Sequence, residues 1–406
     1  MQFHVLGLGP IGSLLSYHLR RSLPPSHSVS LIYKNITQAQ DATARGGILH
    51  VDRNAIVTNA SGFKLEASIS PSAAEGESID IVRNQNLGDL RSDSDQIHSL
   101  FITTKAHHTL PAIRQLLPRL SANSTIVLLQ NGMGVYEELI SEIFRNPEHR
   151  PHFILTSNTH GAFLRKPNHV VHSGLGSIEF AIVPDPGGKN FEKGFEETSP
   201  ARSSQPRLSD ITSPGDPEFT RYESLRATVA ALLLLKLLDV SWKPMSQLQL
   251  ALRRKLAVNA VINPLTAIIG CRNGDIFSSP SSHLILDGVC REASDAYAAQ
   301  FSSETKEWLQ GLSVQGINVE SVTVPRLPLS LTQARLKWEV LRVAKLTKRN
   351  KSSMLDDILR GRATEIKYIN GYLLKLGNMY QIPMPTNEML KNLVELRSDI
   401  PLDQGL

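Results

Sequence analysis

The apolar positions change period repeatedly along this chain. Phe3-His4-Val5-Leu6 is a short apolar run that breaks at Gly7-Leu8-Gly9-Pro10-Ile11-Gly12, and Ser13-Leu14-Leu15-Ser16-Tyr17-His18-Leu19 follows at helical spacing. Residues 29–33 (after Pro24-Pro25), 100–104, 124–129 and 153–158 are further apolar runs of strand length. Between them, 109–120 and 135–144 have a helical period, with Pro111 expected in a first turn, where proline is tolerated. Strands alternating with helices predict a parallel, doubly wound α/β sheet. Residues 46–51 and 63–67 predict a hairpin, and 169–172 with 177–183 predict another, closed by Gly174-Leu175-Gly176. Two stretches lack any period. Residues 70–96 read as an expanded surface loop. Residues 184–220 hold too few large apolar side chains to offset their ordering entropy, which predicts a disordered insertion. From Tyr222 the pattern is mainly helical, over 222–238, 246–269, 280–301, 330–346 and 363–380, with Val240-Ser241-Trp242 a short strand. The expected division is an α/β domain over 1–243 and an all-α domain over 244–406.

The first glycine run carries chemistry. A strand before it and a helix after it give the spacing of a dinucleotide-binding loop: Gly7 permits the tight turn, Gly9 lets backbone approach a pyrophosphate, and Gly12 lets helix and strand pack closely. The helix start then offers N–H groups and a positive dipole end to phosphates. A glycine turn without a ligand is the bland alternative. Lys105-Ala106-His107-His108 and Gln130-Asn131-Gly132-Met133-Gly134 each follow a strand, on the edge where such sheets bind ligands. Asn-Gly is equally at home in an ordinary turn.

The segment Lys255-Leu256-Ala257-Val258-Asn259-Ala260-Val261-Ile262-Asn263-Pro264-Leu265-Thr266-Ala267 is the sharpest signal. Lys255, Asn259 and Asn263 fall four residues apart and form one polar stripe on an otherwise apolar helix, with no acid in the segment. One cation and two amides suit an anionic or carbonyl ligand; a solvent-facing stripe is the alternative. Pro264 lacks the N–H that would meet the Ala260 carbonyl, so a kink and a freed acceptor are expected there. Further on, Ser352 or Ser353 suits a helix cap, and Glu365 suits a first-turn acid on a helix whose apolar face is Ile366, Ile369, Leu373 and Leu376.

Composition narrows the class. Hydrophobic content of 41% and charged content of 20% over 406 residues fit a globular protein with more than one core. The net charge of +5 is scattered, with no basic stripe, so neither nucleic acid nor membrane is an expected partner. Cys271 and Cys290 lack metal spacing and read as reduced thiols, and no metal is expected at His107 and His108. No leader can be read ahead of the first strand, so the cytoplasm is the default location, with the mitochondrion left open.

Taken together, Gly7-x-Gly9-x-x-Gly12, Lys105-Ala106, Asn131-Gly132-Met133-Gly134, the Lys255–Ala267 segment, Asn273-Gly274, Ser352-Ser353-Met354 and Arg362-x-Thr364-Glu365-Ile366-x-x-Ile369-Asn370-Gly371 closely resemble the ketopantoate reductase (2-dehydropantoate 2-reductase) family, in that family's order. The resemblance implies an N-terminal Rossmann-type doubly wound sheet, an all-α C-terminal domain and a ligand cleft between them. It implies NADPH-dependent reduction of 2-dehydropantoate to pantoate, a step toward pantothenate and coenzyme A, with a small 2-oxo acid as the partner and a homodimer as the candidate assembly. Carried over by motif, Lys255 is the general acid. Asn131, Asn259, Asn263, Asn273, Asn350 and Ser353 are the substrate-binding set. Gly7, Leu8, Gly9, Pro10, Ile11, Gly12, Lys34, Lys105, Asn131, Ala162 and Glu365 bind the cofactor. One departure is plain: the family's arginine after the second strand is replaced by Tyr33-Lys34, which meets a phosphate as a point charge rather than a fork. A paralogue reducing another 2-oxo acid or ketone, and a non-catalytic NADPH sensor, are the rival readings.

Overall fold

The computed structural model describes residues 1–67, 96–196 and 206–400. The loop expected over 70–96 lies outside them except for Gln96. The chain divides into two compact units, Met1–Gln130 with Val135–Leu248, and Asn131–Gly134 with Gln249–Leu406.

The first unit is built on strands β1 (Gln2–Leu6), β2 (Ser28–Tyr33), β3 (Leu49–Arg53), β4 (Ile56–Ala60), β5 (Lys64–Ala67), β6 (Ser99–Ile102), β7 (Thr125–Leu128), β8 (His152–Asn158), β9 (Gly161–Lys166), β10 (His169–Gly174), β11 (Ile178–Ile182) and β12 (Val240–Trp242). Its helices are α1 (Pro10–Ser22), α2 (Ile36–Ala44), α3 (Ala106–Leu116), α4 (Val135–Glu142), the one-turn α5 (Lys193–Glu196) and α6 (Leu208–Ile211), and α7 (Glu223–Leu233). An eight-stranded sheet runs β12-β11-β8-β7-β6-β1-β2-β5. From β5 to β8 neighbouring strands are parallel, whereas β11 joins antiparallel to β8. Phe3, Val5, Leu31, Phe101 and Val127 are fully buried, as expected of parallel strands covered on both faces. The chain leaves β1 toward β2 on one side and returns to β6 on the other, so the sheet reverses direction at β1, where the glycine run begins.

Several expected elements fold differently. Strand β5 joins the large sheet beside β2, and β3 pairs instead with β4, so the hairpin over 46–51 and 63–67 does not form. Strand β10 pairs with β3 and β9 in a second, four-stranded sheet while β11 joins the first, so Gly174-Leu175-Gly176 carries the chain between sheets rather than closing a hairpin. That second sheet packs on α1, where Tyr17 donates to Thr58 at 2.8 Å. Helix α3 starts at Ala106, which leaves Pro111 inside the helix. The described parts of 184–220 are packed rather than disordered. Phe191 and Ile211 sit in the core with Tyr222, and Lys189 pairs with Asp216 at 2.5 Å. Phe191 and Ile211 suffice to anchor these parts because both are buried, although Leu208 stays exposed.

The second unit is helical: α8 (Met245–Ile269), α9 (Pro280–Val314), α10 (Gln333–Leu346), α11 (Ser353–Leu359), α12 (Asn370–Tyr380) and α13 (Pro385–Asp399). The division between units falls within α8. Helix α9 runs well past the expected end at 301. The helix expected over 363–380 is a 3₁₀ turn, Ile366–Tyr368, followed by α12, yet Ile366, Ile369, Leu373 and Leu376 all still face the core. Among the described residues, no helix is long and apolar enough to cross a membrane.

Candidate active site

In the first unit the glycines divide by what demands them. Gly7 has φ +94°, and a Cβ there would lie 2.6 Å from the Thr104 backbone nitrogen. A Cβ on Gly12 would come within 2.0 Å of the Gly7 carbonyl oxygen. Both are required by the protein's own packing, and Thr103 Oγ1 ties the turn down by donating to the Gly7 carbonyl. Gly9 differs: nothing lies within 4 Å of its would-be Cβ. Gly9 is also the N-cap of α1, makes no side-chain capping bond, and no acid stands in the first helical turn. The loop thus offers open backbone N–H groups and an uncompensated dipole end, which fits a pyrophosphate. Leu8, Pro10 and Ile11 complete this turn.

Registers align Leu6 of β1 with Ile32 of β2 and Ile102 of β6, so Lys34 and Lys105 leave the sheet on either side of the glycine run. Lys34 is exposed, and the next residue, Asn35, caps α2 by accepting from Gln38 N at 2.9 Å. His108 is held below the ordinary imidazole value by partial desolvation and then by Lys34 and Lys105, a positive cluster beyond the strand ends. Ala162 lies in β9, in the sheet that packs on α1. Thr103, Thr104 and Gln130, whose Nε2 donates to Thr109 Oγ1 at 2.7 Å, also shape this edge. The rule that ligands lie beyond the strand ends was the available signal for them.

In the second unit α8 carries Lys255, Asn259 and Asn263 on one face, as the spacing predicts. The face does not point to bulk solvent: Asn263 is 7% exposed, Lys255 and Asn259 are partly buried, and Leu256, Ala257, Ala260 and Val261 fill the core behind them. Lys255 Nζ donates to Asn131 Oδ1 at 3.1 Å. Desolvation of this amine lowers its pKa to about 8, and the nearby Glu365 carboxylate acts in the opposite direction. Glu365 is itself buried, at the entry to the 3₁₀ turn. The Asn131 loop is fastened separately. Met133 N donates to the Tyr368 carbonyl at 2.9 Å, and a Cβ on Gly132 would sit 2.4 Å from that same oxygen. Tyr368 acts through its backbone, so no side-chain pattern could have revealed it.

The remaining expected site residues are less concentrated. Asn273 N donates to the Asn350 carbonyl at 3.0 Å and Asn273 Nδ2 to Thr347 Oγ1 at 2.9 Å, which ties the 347–350 loop to the end of α8. Asn350 is exposed. Ser352, not Ser353, caps α11, accepting from Leu355 N at 3.0 Å, and its hydroxyl lies 2.6 Å from Thr266 Oγ1 on α8. Ser353 opens the helix and is exposed. Among the described residues, no group of three His, Cys, Asp or Glu is arranged to hold a metal ion.

An N-terminal unit with dinucleotide-type strand order, followed by a helical unit with a desolvated lysine, can be compared with known proteins. Residues 3–185 match the model of ketopantoate reductase PanE/ApbA, and residues 247–398 match its C-terminal counterpart. The chain belongs to the ketopantoate reductase family. It is 26% identical over 396 residues to a probable 2-dehydropantoate 2-reductase of Schizosaccharomyces pombe, covering 97% of this chain and 95% of that protein. It is 28% identical over 393 residues to the 2-dehydropantoate 2-reductase of Vibrio cholerae, at 96% and 95% coverage. Among solved structures, a PanE/ApbA family ketopantoate reductase from Ralstonia eutropha aligns with TM-score 0.62 at 20% identity, covering 98% of this chain and 99% of that one. A D-mandelate dehydrogenase solved with NADH and anilino(oxo)acetate aligns with TM-score 0.66 at 17% identity, covering 98% of each chain. At these identities the structural likenesses establish the fold.

Proposed function

We propose that this member of the family reduces the ketone of 2-dehydropantoate to the hydroxyl of pantoate, with NADPH as reductant and Lys255 as proton donor. The names of the relatives that align along nearly the whole chain support the substrate. The observation that carries the mechanism is the Lys255–Asn131 bond on an amine tuned to about 8. NADPH, when bound, supplies the hydride. As charge grows on the ketone oxygen, the Lys255 ammonium stabilises it and hands over its proton; a donor with a pKa near the working pH does this best. Asn131 accepts from the ammonium and so aims it without neutralising it. Asn259 and Asn263, one and two turns further along α8, supply amide hydrogen bonds to the substrate carboxylate and hydroxyl. Glu365 keeps the amine charged against its burial. Asn273, Asn350 and Ser353 belong to the outer part of this set.

For the cofactor, the glycine turn and the first turn of α1 would hold the pyrophosphate. Lys34 and Lys105 would meet the 2′-phosphate, and backbone at Ala162 would make a further contact. Tyr33-Lys34-Asn35 ends β2 without an acid that would claim a ribose 2′-hydroxyl, which favours NADPH over NADH.

The test is loss of reduced-nicotinamide absorbance with purified protein, 2-dehydropantoate and either cofactor. The expected result is turnover with NADPH, a much lower kcat/KM with NADH, and a steep loss of kcat in Lys255→Ala with cofactor binding retained. Faster turnover of another 2-oxo acid would replace the substrate assignment, and near-full kcat in Lys255→Ala would remove the lysine from its role.

A further inference from the structure

The proline in α8 leaves a specific debt. Pro264 has no N–H, so the Ala260 carbonyl has no helical donor, and Ala260 is fully buried. The structure supplies one from outside the helix: Asn370 Nδ2 donates to the Ala260 carbonyl at 3.0 Å. The same amide nitrogen donates to Asn387 Oδ1 at 3.0 Å. Asn387 in turn gives its backbone N–H (3.0 Å) and its side-chain Nδ2 (2.7 Å) to Glu292 Oε2, while Glu292 Oε1 accepts from Thr386 N at 2.8 Å. Asn370 and Asn387 are fully buried and Glu292 is 3% exposed. Gly288, one turn before Glu292, lies where a Cβ would meet the Thr386 side chain at 2.5 Å, so α9 and the start of α13 approach closely enough for these bonds. One polar relay therefore joins α9, α13, α12 and α8, and it ends on the turn between Asn259 and Asn263.

We propose that Asn370 is a positioning residue for the reaction: by taking the carbonyl that Pro264 leaves unmet, it holds α8, just past Lys255 and Asn259, against the chain segment that bears Glu365, five residues before it. Glu365 reaches Asn370 through tight local structure, with Tyr368 N donating to the Glu365 carbonyl at 3.0 Å and Ile369 N to the Ile366 carbonyl at 3.2 Å. A shift of α8 at Ala260 therefore changes the spacing between the amine and the carboxylate. The proposal rests on Lys255 being the proton donor, but its geometry does not depend on which 2-oxo acid is reduced.

The decisive experiment pairs Asn370→Ala with Pro264→Ala. Alanine at 264 restores a backbone N–H for the Ala260 carbonyl but no tie to the Asn370 segment, so it separates the loss of the tie from the burial of an unmet carbonyl. The expected results are a roughly ten- to hundredfold lower kcat in Asn370→Ala, an unchanged KM for NADPH, near-normal behaviour of Pro264→Ala alone, and a kcat that stays low in the double variant. Competitive labelling of amines, read peptide by peptide, follows Lys255 without substrate. Its titration midpoint is expected to fall in Asn370→Ala, as Glu365 acts on it less, and to stay low in the double variant. Should Asn370→Ala fail to fold, Asn370→Ser keeps one donor and takes its place in the same measurements. Wild-type kcat and an unmoved Lys255 midpoint in the Asn370 variant, or full recovery in the double variant, would overturn the proposal. A labelling shift without activity toward 2-dehydropantoate would instead overturn the substrate reading and leave this one standing.

Discussion

If Lys255 delivers the proton, the rate of reduction must follow its protonation. The amine stands at about 8 rather than the ordinary 10.5. At pH 7 about nine-tenths of the protein then carries the ammonium, and at pH 9 about one-tenth does, so the chemical step falls about tenfold between them. A solvated lysine, titrating near 10.4, would lose less than about a tenth of its ammonium over the same interval. The two cases are therefore well separated. The assay is a single-turnover measurement of reduced-nicotinamide absorbance from pH 6 to about 10, with substrate saturating, so that product release does not mask the step. The 2-oxo acid carboxylate stays ionised throughout and adds no limb of its own. Glu365→Gln removes the charge that raises this pKa, so its alkaline limb should begin at lower pH and its rate at neutrality should fall. Lys255→Met should leave a small, pH-independent residue. A wild-type rate that stays flat to about pH 9.5, or a limb unmoved in Glu365→Gln, refutes the assignment of this amine as the proton source.

Three other outcomes follow from the geometry. Gly12→Ala must push its Cβ into the Gly7 carbonyl and should lower the thermal midpoint, at about 1–3 kcal/mol. Gly9→Ala meets no protein atom, so stability should hold within about 0.5 kcal/mol while NADPH affinity, read by fluorescence titration, drops at least about tenfold; equal destabilisation by both would refute this division of roles. Lys34→Ala should lower the ratio of kcat/KM for NADPH over NADH by about tenfold or more, and a ratio left unchanged would remove Lys34 from the phosphate contact. Finally, burial holds His18 and His152 at about 4, with His172 and His160 adding to the effect on His18. Both are favoured neutral in the fold, so their stabilisation is complete above the unfolded value near 6.5 and is lost as pH falls toward 4, on the order of 3 kcal/mol each at most. Thermal melts from pH 7 to about 4.5 should show this loss, partly relieved in His18→Gln, and a flat midpoint would contradict it.

What could be read from the sequence is what depends on local rules. Gly7 and Gly12 announce a tight strand-to-helix turn because no other residue fits there, and the four-residue spacing of Lys255, Asn259 and Asn263 fixes their common face wherever α8 lies. Pro264 even indicates that a carbonyl needs a donor. The donor itself, Asn370, sits 110 positions away in sequence and is identified by packing alone. Likewise β4 and β9 are short, mostly exposed strands whose alternation is too weak to see, and their sheet becomes visible only when it covers α1. The glycine-rich link before β11 looks like a hairpin turn because local geometry does not say which sheet a strand will join. In residues 184–220, Phe191 and Ile211 are too thinly spread to signal a core, although each is buried.

The lysine shows why the site needed parts from distant segments. Burial alone would drive the Lys255 amine toward the neutral form, which cannot give a proton. A carboxylate placed directly on it would hold the charge but would also satisfy the ammonium and weaken its pull on a developing oxyanion. Here a neutral amide, Asn131, accepts from the amine at 3.1 Å, while a charge that opposes burial comes from Glu365, on a different segment. If Lys255 is the proton donor, that arrangement keeps the amine charged near neutrality yet able to release its proton. On the proposed assignment the absence of an acid from the stripe on α8 also has a reason: an acid at Asn259 or Asn263 would repel a substrate carboxylate bound on that face.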